Sequence, residues 1–468
     1  MIARPFLLRR LRELNVVDDA AEQTLERDGI VTLADLELAL AENRPLVAQE
    51  SFARAAAALA SEVRPLNLGR AWDIADGVMG AIQERCRDVQ ALEASGAMRR
   101  AESLVPGLLI LGRAADPARA IHDIAALPFS SDFLYRAARR IVLLFEGHEI
   151  DIRICSPDEY GTLLFTTTGP AAHVVDVFKR RAPRPVSSET EVYTHAGLAH
   201  LPPETRDAPD AMERAISRNV PRLVEREDIR GDLHMHTTYS DGRDPLRRMV
   251  HAARALGYEY IAITDHSEHA RAARTLTLAD LSRQRDEIAR VRDEVPDMAI
   301  LHGIEVDILA DGSLDCPDHV LATLDIVLAS LHEGEGHDGR KLTKRCLRAI
   351  HHPLVSVITH PANQLVGRRP GYDMDYAALY EAAAETGTVL EVDGAPAHLD
   401  LSGERARAAV LAGATLVIDS DCHRSPPLDR QMRMGVGTAR RGWVERRHVL
   451  NTRSLADVRA FLARKRAC

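Results

Sequence analysis

The periodicity of apolar and polar positions changes along the chain, and each change marks a different architecture. Over residues 1–90 the apolar positions recur at helical spacing in FLLRRLREL, AAEQTLERDGI, TLADLELALAE, SFARAAAALASEV and AWDIADGVMGAIQERC. This predicts short helices joined by short turns. From 91 to 200 the texture is mixed α/β, with LLILG, RRIVLLFEGHEIDIRIC and GTLLFTTTG strand-like. Residues 201–230, opening on LPPETRDAPD, are rich in proline and charge and read as an ordered linker. After Gly231 the strand candidates DLHMH, YIAITDH, AILHGIEVDI, IVLASLH, VSVITHP, TVLEVD and TLVIDSDCH alternate with helix candidates such as PLRRMVHAARALG and YAALYEAAAETG. About seven such units over 231–468 predict a parallel α/β barrel with one unit fewer than the common eight.

At 468 residues the chain exceeds one ordinary core, so two or three domains are expected. A formal net charge of −9 gives no global attraction to nucleic acid, so a phosphate would have to be received by a local basic face or a metal cluster. The basic run from Lys179 to Arg184 could touch a nucleic-acid backbone, with a solvated charged loop the preferred reading. Cys86, Cys155, Cys316, Cys346, Cys422 and Cys468 are dispersed without a CxxC pair, which suits a reducing, cytoplasmic home. No apolar run of the length that spans a bilayer, about 18 residues, is present. Nothing in the sequence specifies an oligomeric state.

Candidate chemistry gathers at the strand ends. In His234-Met235-His236 the two imidazoles leave the same side of a strand, and Asp421-Cys422-His423 repeats the spacing with Cys422 turned to packing. Asp265-His266, Glu305, His332 and His360 end other strands. All carboxyl ends of a parallel barrel lie on one face, so these residues converge, and a polynuclear metal site is the economical reading. Nitrogen and oxygen donors without thiolate suit manganese, zinc or iron. Arg368 and Arg369, after the His360 strand, are candidates to clamp phosphate oxygens. His173, His195, His200, His251, His351 and His352 lack the strand-end register and read as structural.

The motifs DLHMHTTYSDG, AITDHS, GIEVDI, SLH, THP and DSDCH resemble the polymerase-and-histidinol-phosphatase (PHP) domain over 231–468. The resemblance implies a distorted (β/α)7 barrel with three divalent ions. One would be held by His234, His236, Glu305 and Asp421, and a second by Glu305 with His332 and His360. The third would take His266, His423 and Asp241 of the SDG turn. Upstream, SGAMRRAE, PDEYG and TGPAAH resemble the palm and thumb of bacterial family X DNA polymerases, in which three aspartates hold two catalytic metals. Here Gly96, Arg99, Arg100 and Asp151 are kept, but Gly107 and Leu109 stand at the paired-aspartate positions and Gly169-Pro170 replaces the Gly-Ser of the nucleotide loop. DGI-VTLADLELAL resembles half of a helix-hairpin-helix, although the turn Asn15 to Asp19 has no glycine and carries two acids.

These resemblances imply a metal-dependent phosphodiesterase acting on DNA 3′ ends as a 3′–5′ exonuclease, in the manner of DNA repair, with an inactive polymerase half. The alternatives are a phosphomonoesterase for a small ester of the histidinol-phosphate type and a noncatalytic DNA-binding scaffold.

Overall fold

The first helices start where the sequence supplies a cap. In the computed structural model, which describes residues 4–130, 133–270, 274–332 and 338–467, the Ala21 N–H donates to Asp18 at 2.8 Å and opens the helix Asp19–Arg27. Thr32 and Asp35 form a reciprocal capping box ahead of Leu33–Ala41. The Asp18 carboxylate thus occupies one of the amides that the hairpin resemblance would offer to a phosphate. Together with Phe6–Glu13 and Glu50–Glu62, these helices bury Leu7, Leu11, Leu25, Leu36, Phe52 and Leu59 in one core.

Backbone contacts divide the chain into two units, Met1–Val220 and Pro221–Cys468. The first also holds a sheet of strands β1 (Gln90–Ala94), β2 (Leu108–Arg113), β3 (Phe133–Ala137), β4 (Arg140–Phe145) and β5 (His148–Cys155), ordered β1-β2-β5-β4-β3. The stretch RRIVLLFEGHEIDIRIC is therefore a hairpin. Glu146 and Gly147, both at positive φ (+51° and +81°), make its two-residue turn.

GTLLFTTTG, expected as a strand, is a helix, Tyr160–Thr168. Its buried residues Tyr160, Gly161, Leu164, Phe165 and Thr168 keep helical spacing. The threonines, whose β-branching suggested a strand, bond back to the preceding turn, Thr167 Oγ1 to the Leu163 carbonyl at 2.7 Å.

The second unit is a sheet of seven parallel strands: β6 (Gly231–Asp232), β7 (Tyr260–Ile263), β8 (Ala299–Asp307), β9 (Ile326–Ser330), β10 (Val357–Ile358), β11 (Val389–Asp393) and β12 (Leu416–Asp419). Each pairs with its neighbours in chain order. A parallel bridge between Met235 and Cys422, just past β6 and β12, nearly closes the sheet into a barrel. The helices Leu246–Ala255, Leu278–Glu294, Gly339–Ile350, Tyr376–Thr386 and Gly403–Leu411 fall at or near the helical stretches read from the sequence, and Leu428–Arg441 and Leu455–Arg466 join them.

Strand parity carries the site. Ile261, Ile300, Ile304 and Val327 pack with the helices, while Leu301, Leu328, Val389 and Val417 belong to a separate cluster with Val458 and Leu462 of the last helix. Continuing those second positions towards the carboxyl ends, Leu301 gives way to Glu305, Val389 to Glu391 and Asp393, and Val417 to Asp419 and Asp421. On β7, β8, β9 and β12 that face is apolar below and carries His266, Glu305, His332 and Asp421 above, while His234, His236 and His360 fall on the alternate positions of their strands. Among the described residues no helix is long and apolar enough to cross a membrane. Cys86, Cys155, Cys316, Cys346 and Cys422 are buried and free, and Cys468 lies outside the described residues.

Candidate metal centre

The structure brings together His234, His236, Asp241, His266, Glu305, His332, His360, Asp421 and His423. His234 Nε2 and His236 Nε2 lie 3.0 Å apart, and Asp421 Oδ1 is 3.5 and 3.2 Å from them. Glu305 sits at the middle. Its Oε2 is 3.4 Å from His234, 3.5 Å from His236 and 2.9 Å from His266 Nδ1, and its Oε1 is 3.1 Å from His360 and 3.5 Å from His332. Asp241 Oδ1 lies 3.2 Å from His423 Nε2 and 3.7 Å from His266 Nε2. The turn that carries Asp241 folds back tightly: a Cβ on Gly242 would meet the Thr237 backbone at 2.6 Å.

These separations are those of donors around a cation. Nitrogen and oxygen ligands about 2.0–2.2 Å from one tetrahedral ion lie about 3.3–3.6 Å from each other. Glu305 Oε2 and His266 Nδ1, buried and close, form no hydrogen bond with each other or with anything else. Donor atoms so placed and so unsatisfied fit divalent ions.

Neighbouring groups fix the tautomers. His234 Nδ1 donates to Glu391 Oε1 at 2.7 Å, His332 Nδ1 to Asp307 Oδ1 at 2.7 Å, and His423 Nδ1 to the Asp421 carbonyl at 3.0 Å. In each case Nε2 is the nitrogen left to face the centre. Glu391 also accepts the His360 N–H at 2.7 Å and the Thr359 hydroxyl. His360 and Asp421 adopt positive φ, +29° and +47°, a strained geometry at two of the converging residues.

Charge is concentrated here. Burial works against ionisation of Glu305 and Asp421, yet the surrounding imidazoles hold both well below the usual carboxylate range. Burial likewise opposes the charge on His332, but its hydrogen bond to Asp307 and the nearby Glu305 raise it to about 9. His236 goes the other way, to about 4, through burial and the neighbouring His423 and His266. Burial and nearby carboxylates push Asp393 and Asp419 up, and Asp232 reaches about 6 by burial. Divalent ions in such a set polarise phosphate oxygens and lower the pKa of water.

Asp265, read as a metal-type strand end, has other work. Its carboxylate accepts from Thr237 N and Oγ1, both at 2.7 Å, from Ser240 N at 3.1 Å and from Gln284 Nε2 at 2.6 Å, pinning the loop that follows His236. Arg369 turns a guanidinium N–H to the Asn363 carbonyl at 2.7 Å, while Arg368 is exposed. The tautomer-setting acids Glu391 and Asp307 and the adjoining Asp393 and His398 were not singled out by sequence reasoning. The i, i+2 spacing of Glu391 with Asp393, and of Glu305 with Asp307, was the available signal.

In the first unit Leu109 on β2 pairs directly with Asp151 on β5. Asp151 is buried among arginines: Arg140 Nε and Nη2 donate to its two oxygens at 2.8 Å each, and Arg153 Nη2 to Oδ2 at 2.7 Å. Asp35 accepts from both arginines at 2.6 Å, which closes a four-membered ion-pair network. Arg99 donates to Glu189 at 2.6 Å and to Thr168 at 2.9 Å, and Arg100 to the Thr168 carbonyl.

A barrel of seven parallel strands with this ligand face defines a metal-dependent phosphoesterase of the PHP type, and the PHP domain family matches residues 232–393. The resemblance extends beyond the barrel. The DNA polymerase/3′-5′ exonuclease PolX of Bacillus subtilis (strain 168) is 38% identical over 391 residues, covering 79% of this chain and 68% of the relative, and the chain belongs to that family of family X polymerases with a PHP domain. The probable phosphatase YcdX of Escherichia coli O81 is 32% identical over 204 residues, 41% of this chain and 78% of its own. A crystal structure of histidinol phosphate phosphatase from Lactococcus lactis with zinc, L-histidinol and phosphate aligns with a TM-score of 0.37 at 17% identity, over 46% of this chain and 95% of that one.

Proposed function

We propose that the chain is a 3′–5′ exonuclease that processes DNA ends with three divalent ions held by His234, His236, Asp241, His266, Glu305, His332, His360, Asp421 and His423. The observation that carries this reading is the convergence of the nine side chains, with five imidazoles against Glu305 and Asp241, Asp421 and His423 linked to it through them. Manganese, zinc and iron all suit the donors. The DNA substrate is favoured by the relative named as a polymerase and exonuclease, whose similarity runs through both halves. In this reading the polymerase-like half transfers no nucleotides, because Asp151 is its one carboxylate at the metal positions and is engaged by Arg140 and Arg153. The reducing interior suggested by the six dispersed cysteines, without a CxxC pair, is the proposed setting.

A second reading, a phosphomonoesterase for a small ester, is favoured by the net charge of −9 and by relatives named as probable phosphatases. The test incubates the full chain and manganese with a 5′-labelled single strand, a recessed duplex and histidinol phosphate. Stepwise shortening of DNA with an untouched ester supports the exonuclease, and phosphate release from the ester alone supports the phosphatase. His234→Ala is expected to abolish hydrolysis with DNA affinity nearly unchanged; full activity in that variant ends the metal assignment. Templated incorporation of nucleotides would overturn the inactive polymerase half.

A further inference from the structure

Three imidazoles of the centre share one device: Nδ1 is committed to an acceptor, so Nε2 is the nitrogen that faces the centre. A further imidazole on this face has the same device without an assigned role. His398 directs Nδ1 at the Gln364 carbonyl at 3.0 Å, and since a carbonyl only accepts, the lone pair is on Nε2. Gln364 holds this backbone in turn, its side-chain amide donating to the carbonyls of His398 and Leu399 at 2.8 Å each. The His398 ring stacks on His360 with centroids 5.4 Å apart.

Two acids stand beside it. Asp393 is fully buried; its Oδ1 accepts the Ala395 N–H at 2.6 Å, and its Oδ2 has no partner. Asp421 turns Oδ1 to His234 and His236, and a carboxylate has a second oxygen to offer. A nitrogen of His398 and an oxygen of each acid lie within 4.8 Å of one another.

We propose that Asp393, His398 and Asp421 hold an additional divalent cation beside the main cluster, with Asp421 shared between them. The inference rests on the proposed metal centre, since Asp421 belongs to both. Two carboxylates and one imidazole form a harder donor set than the imidazole-rich cluster, which suits manganese or magnesium. Three protein ligands leave open positions on a six-coordinate ion, so the site extends the phosphate-binding face.

Crystals of the full chain grown with manganese and measured at its absorption edge test this directly. An anomalous peak enclosed by Asp393, His398 and Asp421, beside peaks among the nine ligands, is the expected result. Peaks among the nine and none here overturn the additional site and leave the main centre standing; no peak at either place overturns both. In solution, manganese content after equilibrium dialysis is expected to fall by one ion per chain in His398→Ala and in Asp393→Asn, with circular dichroism unchanged. Content equal to the parent overturns the proposal, and loss of every ion overturns a separate position by assigning these residues to the main cluster.

Discussion

Glu391 shows how little of a metal centre resides in its ligands. One carboxylate sets the His234 tautomer, accepts the His360 amide and takes the Thr359 hydroxyl. Replacing it by glutamine keeps the shape but weakens the acceptor, and the expected result is a roughly 10- to 100-fold loss of metal affinity, read by competition with a chromogenic chelator. The candidate ligands were legible because histidines and acids at strand ends announce themselves in β-strand spacing. Their partners were not. Glu391 reads as one polar position in TVLEVD, and only the neighbouring strands show that it lies beneath two imidazoles. Asp265 carries the opposite lesson, since an acid next to a ligand histidine looks like a ligand until its hydrogen bonds are counted.

Between elements, the Asp35, Arg140, Arg153 and Asp151 network joins the head of the helix Leu33–Ala41 to strands β4 and β5. Removing one partner leaves a buried acid short of its counter-charge, so Arg140→Met is expected to destabilise the first unit by about 3 to 5 kcal/mol. Trp72 lies in this unit and Trp443 in the other. Urea denaturation followed by Trp72 fluorescence in a Trp443→Phe background therefore isolates the change. A second test uses His173, whose Nε2 meets the Tyr193 hydroxyl at 2.8 Å. Burial and the nearby Arg206 lower it to about 4. The unfolded chain, titrating near 6.5, binds the proton first, so stability contributed by the neutral ring is complete above about 6.5 and is lost as pH falls towards 4, on the order of 3 kcal/mol. The same fluorescence assay is expected to show this slope flattened in His173→Phe. GTLLFTTTG was misread at this scale because threonine content spoke for a strand, whereas helix spacing of its buried residues decided the outcome.

At the scale of the molecule, the second unit gathers buried carboxylates that cations would neutralise. Chelation is expected to lower the temperature at which Trp443 reports unfolding while leaving the Trp72 transition in place. An ion held at 1,000 times its Kd stabilises its unit by about 4 kcal/mol. The barrel was legible as a whole because seven βα units repeat with short turns. The last two helices went unnoticed because RQMRMGVGTARRG and ADVRAFLARKR are amphipathic without a strand following to frame them.

The Leu233 N–H donates to Asp419 Oδ1 at 2.7 Å across 186 positions of sequence, and Met235 meets Cys422 beside it. The first and last ligand strands therefore meet at the seam. If the proposed ligands are right, this sets a clock on synthesis: a nascent chain that has displayed His234 and His236 has no complete metal set until the strand bearing Asp421 and His423 has emerged and docked. Closing so long a loop is entropically costly, and the ions reward it only at the end. On the proposed ligand set, a chain truncated before Asp421 is expected to show no hydrolytic activity, measured on the purified fragment.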